Sequence, residues 1–298
     1  PEESGITIIA IDEPSMNAVG EQWPWPRSRH AELIKALRQA GAKAIAFDVI
    51  FAEPTLPDED MALIEAMGPD VILAADESQV ERSYGSTLIR TEPMPELLAA
   101  GAKTGIASLS LDGDGVLRTI AKYEDGFMAV LLNNIGGKAQ IKQNGGKRIQ
   151  YFGGPGSYPT VSYYQAMDPD NYLPPDFFKD QVVIIGFALQ ASADVGATTT
   201  DAFETPFTLQ TRQLTPGVEV QATTFDNLRT GLAIATAPKW FGFVLILLGA
   251  VAAFLISRPR VPWKILALWT VSIAGVVITS WLMLRTTFKS WLINKYAS

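Results

Sequence analysis

The sequence predicts an α/β fold in which a largely parallel sheet is flanked by helices and followed by transmembrane α-helices. Two observations predict the sheet. Short apolar runs rich in Ile and Val recur along residues 1–238, and segments with helical spacing of apolar side chains lie between them. This alternation is typical of a parallel sheet covered on both faces. A third observation, two long uncharged apolar runs within residues 239–298, predicts the membrane helices.

The predicted strands are short and mostly apolar, as expected for strands that are buried on both faces. They lie at 6–11, 42–49, 71–75, 104–110 and 181–188, and two further short segments come at 116–124 and 148–152. Gly and Pro cluster at 153–159 and at 174–175, which indicates loops.

Helical spacing of apolar side chains is clearest just before the second predicted strand. The residues that show it are Leu33, Ile34, Leu37 and Ala40. Ser28 is a candidate N-cap of this helix, and Gly41 is placed to end it. Further helices are predicted at about 58–67, 94–101, 126–136 and 216–230. In the last one we expect Thr215 to cap the start, Pro216 to occupy the first turn and Gly231 to follow the end.

The final part of the chain predicts two membrane helices, at about 240–257 and 265–284. These runs contain no charged residue, and their lengths are close to the ~20 residues that cross a hydrocarbon core. Tryptophans flank them as in an interfacial aromatic belt, at Trp240, Trp263 and Trp281. The sequence therefore predicts two domains, a body at 1–238 and a transmembrane region with a short tail at 239–298.

Charge is divided unevenly between these two parts. Residues 239–298 hold seven of the 24 basic residues and no acidic one, so residues 1–238 hold the other 17 together with all 31 acidic residues. The acidic body excludes nucleic-acid binding, which needs clustered Lys and Arg. Because the loop at 258–264 is rich in Lys and Arg, it is expected in the cytoplasm. The body is then extracytoplasmic, and we expect a targeting or anchoring segment before Pro1.

The stretch WPWP at 23–26 is rigid and aromatic, and its role has two possible interpretations. Pro24 and Pro26 fix their own φ angles and bias Trp23 and Trp25 towards extended conformations, so both indoles are held in set directions. One interpretation is structural, with the segment covering the edge of the sheet. The alternative is that Trp23 or Trp25 lines a ligand pocket.

An ordered set of motifs resembles the CHASE family of extracellular sensory domains, second subtype. The motifs are AIDEPS at 10–15, WPWPR at 23–27, the following helix and strand, Asp60, DGDGVLR at 112–118, VVIIGFA at 182–188, Asp194, Thr205 with Pro206, and TPGVEVQA at 215–222. The resemblance covers about 1–284. It implies a bacterial sensor in the inner (cell) membrane, with an effector enzyme often following in the full protein. Gln221 departs from the family, which often has His at that position.

Acidic residues are the other candidates for ligand binding. Asp12 and Asp48 follow the first two predicted strands and should lie near the carboxyl edge of the sheet, where open α/β folds bind ligands. Glu13, Glu53 and Asp194 could join them. Such oxygens suit Ca²⁺, Mg²⁺ or a cationic small molecule. In the alternative interpretation, these carboxylates cap helices and accept hydrogen bonds from loop amides. The metal therefore stays unknown.

The sequence does not predict an enzyme. It has no cysteine, and its one histidine, His30, is expected to be structural and partly exposed in the first turn of a helix. No cofactor is predicted. We interpret the chain as the ligand-binding domain of a bacterial membrane receptor that signals through its transmembrane helices. The alternative is a structural subunit that scaffolds a membrane complex. Expected partners are membrane lipid, an unknown extracellular ligand, and further copies or other subunits of a membrane complex.

Overall fold

The computed structural model describes residues 4–82, 85–139, 141, 146–189, 201–235 and 239–256. Contacts divide the chain into two units, Pro1–Ala235 and Thr236–Ser298. The second predicted membrane helix at 265–284 and the basic loop at 258–264 lie outside the described residues, as does Asp194.

The first unit is built on a mostly parallel sheet, so this prediction is confirmed. Its strands are β1 (Ile6–Ile11), β2 (Ala44–Phe47), β3 (Val71–Arg82), β4 (Gly85–Thr91), β5 (Lys103–Ile106), β6 (Thr160–Ser162) and β7 (Val182–Phe187). The parallel strands follow the order β5-β3-β2-β7-β1-β6. β7 therefore lies between the first two strands of the chain. β4 instead pairs antiparallel with the outer part of β3, a hairpin that the apolar pattern at 71–75 did not indicate.

Helices cover both faces of the sheet. In chain order they are α1 (Glu13–Val19), α2 (Arg27–Gln39), α3 (Pro57–Ala66), α4 (Pro95–Ala99), α5 (Phe127–Asn134), α6 (Tyr163–Met167), α7 (Pro169–Tyr172), α8 (Thr208–Thr211) and α9 (Gly217–Thr230). A small antiparallel pair, β8 (Ala202–Phe203) and β9 (Thr215–Pro216), precedes α9. The second unit contributes α10 (Lys239–Ile256).

Two apolar cores form because successive side chains of a strand point to opposite faces. On β7, Val183 and Ile185 join the core that α2, α3 and α6 cover. Val182 and Ile184 join the core on the other face, beneath α5 and α9. The interior strands are therefore apolar on both faces, apart from Thr7 of β1, which explains their nearly continuous apolar pattern in the sequence.

Glycines end two of the predicted helices as expected. Gly41 follows α2 with φ of 82°, and Gly231 caps α9 with φ of 69°. These left-handed conformations favour a residue without a Cβ.

The predicted starts of both helices were wrong. α2 begins at Arg27 after Pro26, so Ser28 lies inside its first turn and its amide donates to Glu59. Pro216 is the N-cap of α9, while Thr215 belongs to β9. Tertiary partners thus replaced the local side-chain caps that the sequence indicated.

Segments 116–124 and 148–152 form no extended strand. Their pairing is an isolated bridge between Thr119 and Arg148, which also bridges to Ile234. β5 likewise ends at Ile106, where the chain turns to pair with Gly126. These segments lie at the periphery of the sheet, where no second neighbouring strand extends the pairing.

Within the part of the chain that the structure describes, no helix combines the length and apolar character that crossing a bilayer requires.

Candidate functional site

The carboxyl ends of three strands carry aspartates. Asp12 follows β1, Asp48 follows β2, and Asp76 follows the apolar half of β3. In a parallel sheet these ends share one edge. Because β7 separates β1 from β2, the side chains of Asp12 and Asp48 have different surroundings.

Asp12 is the N-cap of α1. Its Oδ1 accepts hydrogen bonds from the amide of Ser15 at 2.9 Å and from Oγ of Ser15 at 2.5 Å. Oγ of Ser162 on β6 donates to Oδ2 at 2.6 Å. Oδ1 thus caps α1 and Oδ2 binds a neighbouring strand, an arrangement that matches the structural alternative for this residue.

The other two described candidate carboxylates belong to exposed residues. Glu13 is exposed in the first turn of α1, and Glu53 is exposed in the loop after β2. Glu53 contributes its backbone carbonyl, which accepts a hydrogen bond from Arg27.

The two tryptophans lie on the α2 side of the sheet. Trp25 is 3% exposed, its ring centroid lies 4.8 Å from that of Tyr163, and its Nε1 donates to the carbonyl of Glu21. Trp23 is half-buried against Phe187, the last residue of β7, at 4.8 Å between ring centroids. Their contacts are with the aromatic core, as the structural interpretation expects.

His30 belongs to the same aromatic cluster and is buried, so the expectation of partial exposure was wrong. Nδ1 of His30 lies 2.9 Å from the hydroxyl of Tyr163. Burial, and then the nearby charge of Arg27, lower the pKa of His30 to about 4. The ring is therefore neutral at physiological pH and acts as a packing residue.

A cavity of about 260 Å³ opens at the carboxyl edge, between the sheet and α9. We call it the carboxyl-edge cavity. Its polar wall consists of Asp48, Asp76, Ser108, Asp201 and Gln221. Its apolar wall consists of Ile50, Ala74, Ala75, Ala107, Leu109 and Phe203. A concave site of this volume, with polar and apolar side chains in its lining, is of the kind that binds small ligands.

Three hydrogen bonds order the polar wall. Oγ of Ser108 donates to Oδ1 of Asp76 at 2.7 Å and accepts from the amide of Glu77. Nε2 of Gln221, on the buried helix α9, donates to the carbonyl of Ala107 at 2.7 Å. These bonds hold Asp76 and Gln221 in set orientations, as a preformed site requires.

Asp48 is the electrostatically strained group of the cavity. Desolvation by the surrounding protein, and then the negative charge of Asp201, raise the pKa of Asp48 well above its ordinary value. Desolvation also raises the pKa of Asp201, although this residue is exposed, so water reduces the effect there. Among the described residues, no side chain donates a hydrogen bond to either carboxyl group.

Two glycines allow α9 to pack closely against the sheet beside the cavity. A Cβ on Gly186 of β7 would lie 2.9 Å from Cβ of Val218 and 3.1 Å from Cβ of Asp48. A Cβ on Gly217 would lie 2.5 Å from Oδ2 of Asp201. Glycine at both positions therefore lets α9 approach the sheet while the two aspartates face the cavity.

We expect Asp48→Asn to raise stability at neutral pH. Because the folded pKa lies above the unfolded value near 3.8, the folded state binds more protons than the unfolded state as pH rises past that value. The contribution of Asp48 to stability therefore falls with rising pH. The melting temperature of the variant, measured from pH 4 to pH 8, should exceed that of the parent by a margin that grows with pH.

Asp170→Asn, a change of the exposed Asp170 on α7, is the matched control and should give a flat difference. A difference in melting temperature between Asp48→Asn and the parent that does not change with pH would contradict the raised pKa of Asp48.

Sequence reasoning identified Asp48 but missed the rest of the polar wall. Asp76 follows its strand as Asp12 and Asp48 follow theirs, so the same rule could have found it. Asp201 and Gln221 join through tertiary packing of β8 and α9, which no local pattern indicates. In the described residues, no group of three or more His, Cys, Asp or Glu side chains is placed to hold a metal ion.

The chain thus has an open α/β domain, and its cavity lies at the carboxyl edge of the sheet, where proteins of this fold class usually bind ligands. The family comparison is more specific: the model of the CHASE2 domain matches residues 1–284, and the chain belongs to this family. CHASE2 domains are extracellular sensory domains and are not catalytic. No curated protein and no solved structure matches the chain.

Proposed function

We propose that the chain is the extracytoplasmic, ligand-binding domain of a bacterial membrane receptor, and that the ligand binds in the carboxyl-edge cavity. The observation that carries this proposal is the pair Asp48 and Asp201, two cavity-lining carboxyl groups of raised pKa that accept no hydrogen bond from a side chain of the described residues. Such strain costs stability, and binding sites are where proteins retain it.

The position of the cavity supports a route for the signal. Gln221 belongs to α9, so a ligand that contacts Gln221 acts directly on this helix. Residues 217–228 of α9 are buried throughout, and the helix is held by polar contacts. For example, Glu219 accepts from the amides of Gly156 and Ser157. A rigid, tightly packed helix of this kind moves as a unit, which suits a two-state switch.

The membrane part of the proposal rests on the sequence. The apolar runs at 240–257 and 265–284 and the basic loop between them favour two membrane helices, with the body outside the cytoplasm. A cysteine introduced at Ser157 should then react with an impermeant thiol reagent in intact cells, and one at Ser257 should not.

The cavity is tested by screening the purified full chain for compounds that raise its melting temperature. Ala107 lines the cavity, so Ala107→Phe should fill it and abolish stabilisation by a true ligand. Ala18→Phe adds the same ring at an exposed position of α1 and should leave stabilisation unchanged. Ligands that stabilise Ala107→Phe as well as the parent would place the site elsewhere. A panel without any stabilising compound would favour the scaffold alternative.

A further inference from the structure

We propose that the carboxyl-edge cavity binds a small organic cation, an amine or guanidine with a short apolar body. This inference rests on the proposed function and names the chemical class of the ligand.

The side chains of the polar wall offer mainly hydrogen-bond acceptors to a ligand. Asp48 and Asp201 offer only acceptors when ionised, and Ser108 already donates its hydroxyl proton to Asp76. Gln221 is 4% exposed, and its Nε2 is committed to the carbonyl of Ala107. Its Oε1 accepts no hydrogen bond from the described residues although the side chain lines the cavity. The side chains of this wall thus present acceptors that call for a ligand with several N–H donors.

The charged residues that line the cavity are acidic. The described residues that line the cavity include three aspartates and no Lys, Arg or His. The negative charge of Asp201 acts on Asp48, which the surrounding protein desolvates, and a ligand cation would relieve this repulsion and be held by charge-assisted hydrogen bonds. An anionic ligand would instead add to the repulsion.

The cavity also has an apolar wall and enough volume for a short carbon chain. Ala74 of β3 contributes a small apolar side chain to the lining, and Phe203 and Leu109 add larger ones. A volume of about 260 Å³ accommodates a short carbon chain as well as a charged group. The apolar side chains favour an organic cation over a bare metal ion, because metal ions are bound by oxygen, nitrogen or sulfur ligands.

The test is calorimetric titration of the purified full chain with putrescine and agmatine. Succinate serves as the control, because it has the same number of carbon atoms as putrescine and the opposite charge. We expect saturable binding of at least one of the two cations and none of succinate. Asp48→Asn and Asp201→Asn should each weaken the binding about tenfold or more, the scale of one lost charge-assisted hydrogen bond. Asp170→Asn should leave it unchanged.

Several outcomes would overturn the inference: no binding of either cation, equal binding of succinate, tighter binding of Ca²⁺ or Mg²⁺, or cation binding that Asp48→Asn does not weaken. Failure of the cation class and failure of the site are distinguishable. A neutral or anionic compound whose stabilisation is lost in Ala107→Phe would leave the proposed function intact. Cation binding that persists in both Ala107→Phe and Asp48→Asn would remove the cavity from both proposals. Melting curves of each variant establish that it is folded.

Discussion

Replacing Arg27 with methionine is expected to lower the free energy of unfolding by about 3 kcal/mol, the scale for removing one partner of a buried ion pair. Nη1 of Arg27 lies 2.8 Å from Oδ1 of Asp60, and only 8% and 11% of the two side chains are exposed. Nη2 donates to the carbonyl of Glu53. The variant would leave the Asp60 carboxylate buried, and Thr55 would be its remaining hydrogen-bond donor among the described residues.

The matched control is Arg29→Met, two positions further along α2. Arg29 pairs with Glu21 on the surface, where 33% and 44% of the side chains are exposed. Exposed pairs contribute about 0.2–1 kcal/mol, so the control should lose little. Chemical denaturation of the three proteins measures the difference. Equal losses of unfolding free energy in Arg27→Met and Arg29→Met would show that the buried ion pair stabilises the fold no more than the exposed pair does.

The contacts of Arg27 also position residues of the carboxyl-edge cavity. By holding the carbonyl of Glu53 and the side chain of Asp60, Arg27 ties the loop after β2 to α2 and α3. That loop begins with Asp48 and includes Ile50, both of which line the cavity. We therefore infer that the Arg of WPWPR and the Asp at position 60 act together to position one wall of the cavity.

Trp25→Ala is expected to cost roughly 3 kcal/mol or more, the usual scale for truncating a buried large aromatic side chain. The indole is 3% exposed and packs against Tyr163, Trp23 and His30. The remaining cavity would lie in the core between α2, α6 and the sheet, where packed neighbours can collapse only partly.

Trp25→Phe is the conservative control. It keeps most of the ring contacts but loses the hydrogen bond from Nε1 to the carbonyl of Glu21, so a smaller loss is expected. Both variants are compared by denaturant unfolding and by ligand titration. Unchanged unfolding free energy in Trp25→Ala, together with lost ligand binding, would favour the pocket interpretation of the tryptophan.

The sequence predicted the fold well where local pattern and burial agree. The runs at 6–11, 71–75 and 181–188 form strands of the central sheet because nearly all of their positions are buried, so the apolar signal is strong. It failed for β4, whose residues carry no such pattern, since a hairpin that extends beyond the sheet has little apolar surface to bury. It also misplaced the caps of α2 and α9, where tertiary partners satisfy the helix ends.

The sequence by itself determined the α/β class, the alternation of elements, and the placement of Asp12 and Asp48 at one edge of the sheet. These follow from periodicity and chain order, which are local properties. Only the tertiary structure decided which aspartate faces a cavity. β7, which is remote in sequence, inserts between β1 and β2, and Gly186 on it allows α9 to approach. Asp12 then caps α1, whereas Asp48 meets Asp201 and Gln221, because contacts between distant segments depend on how the elements pack.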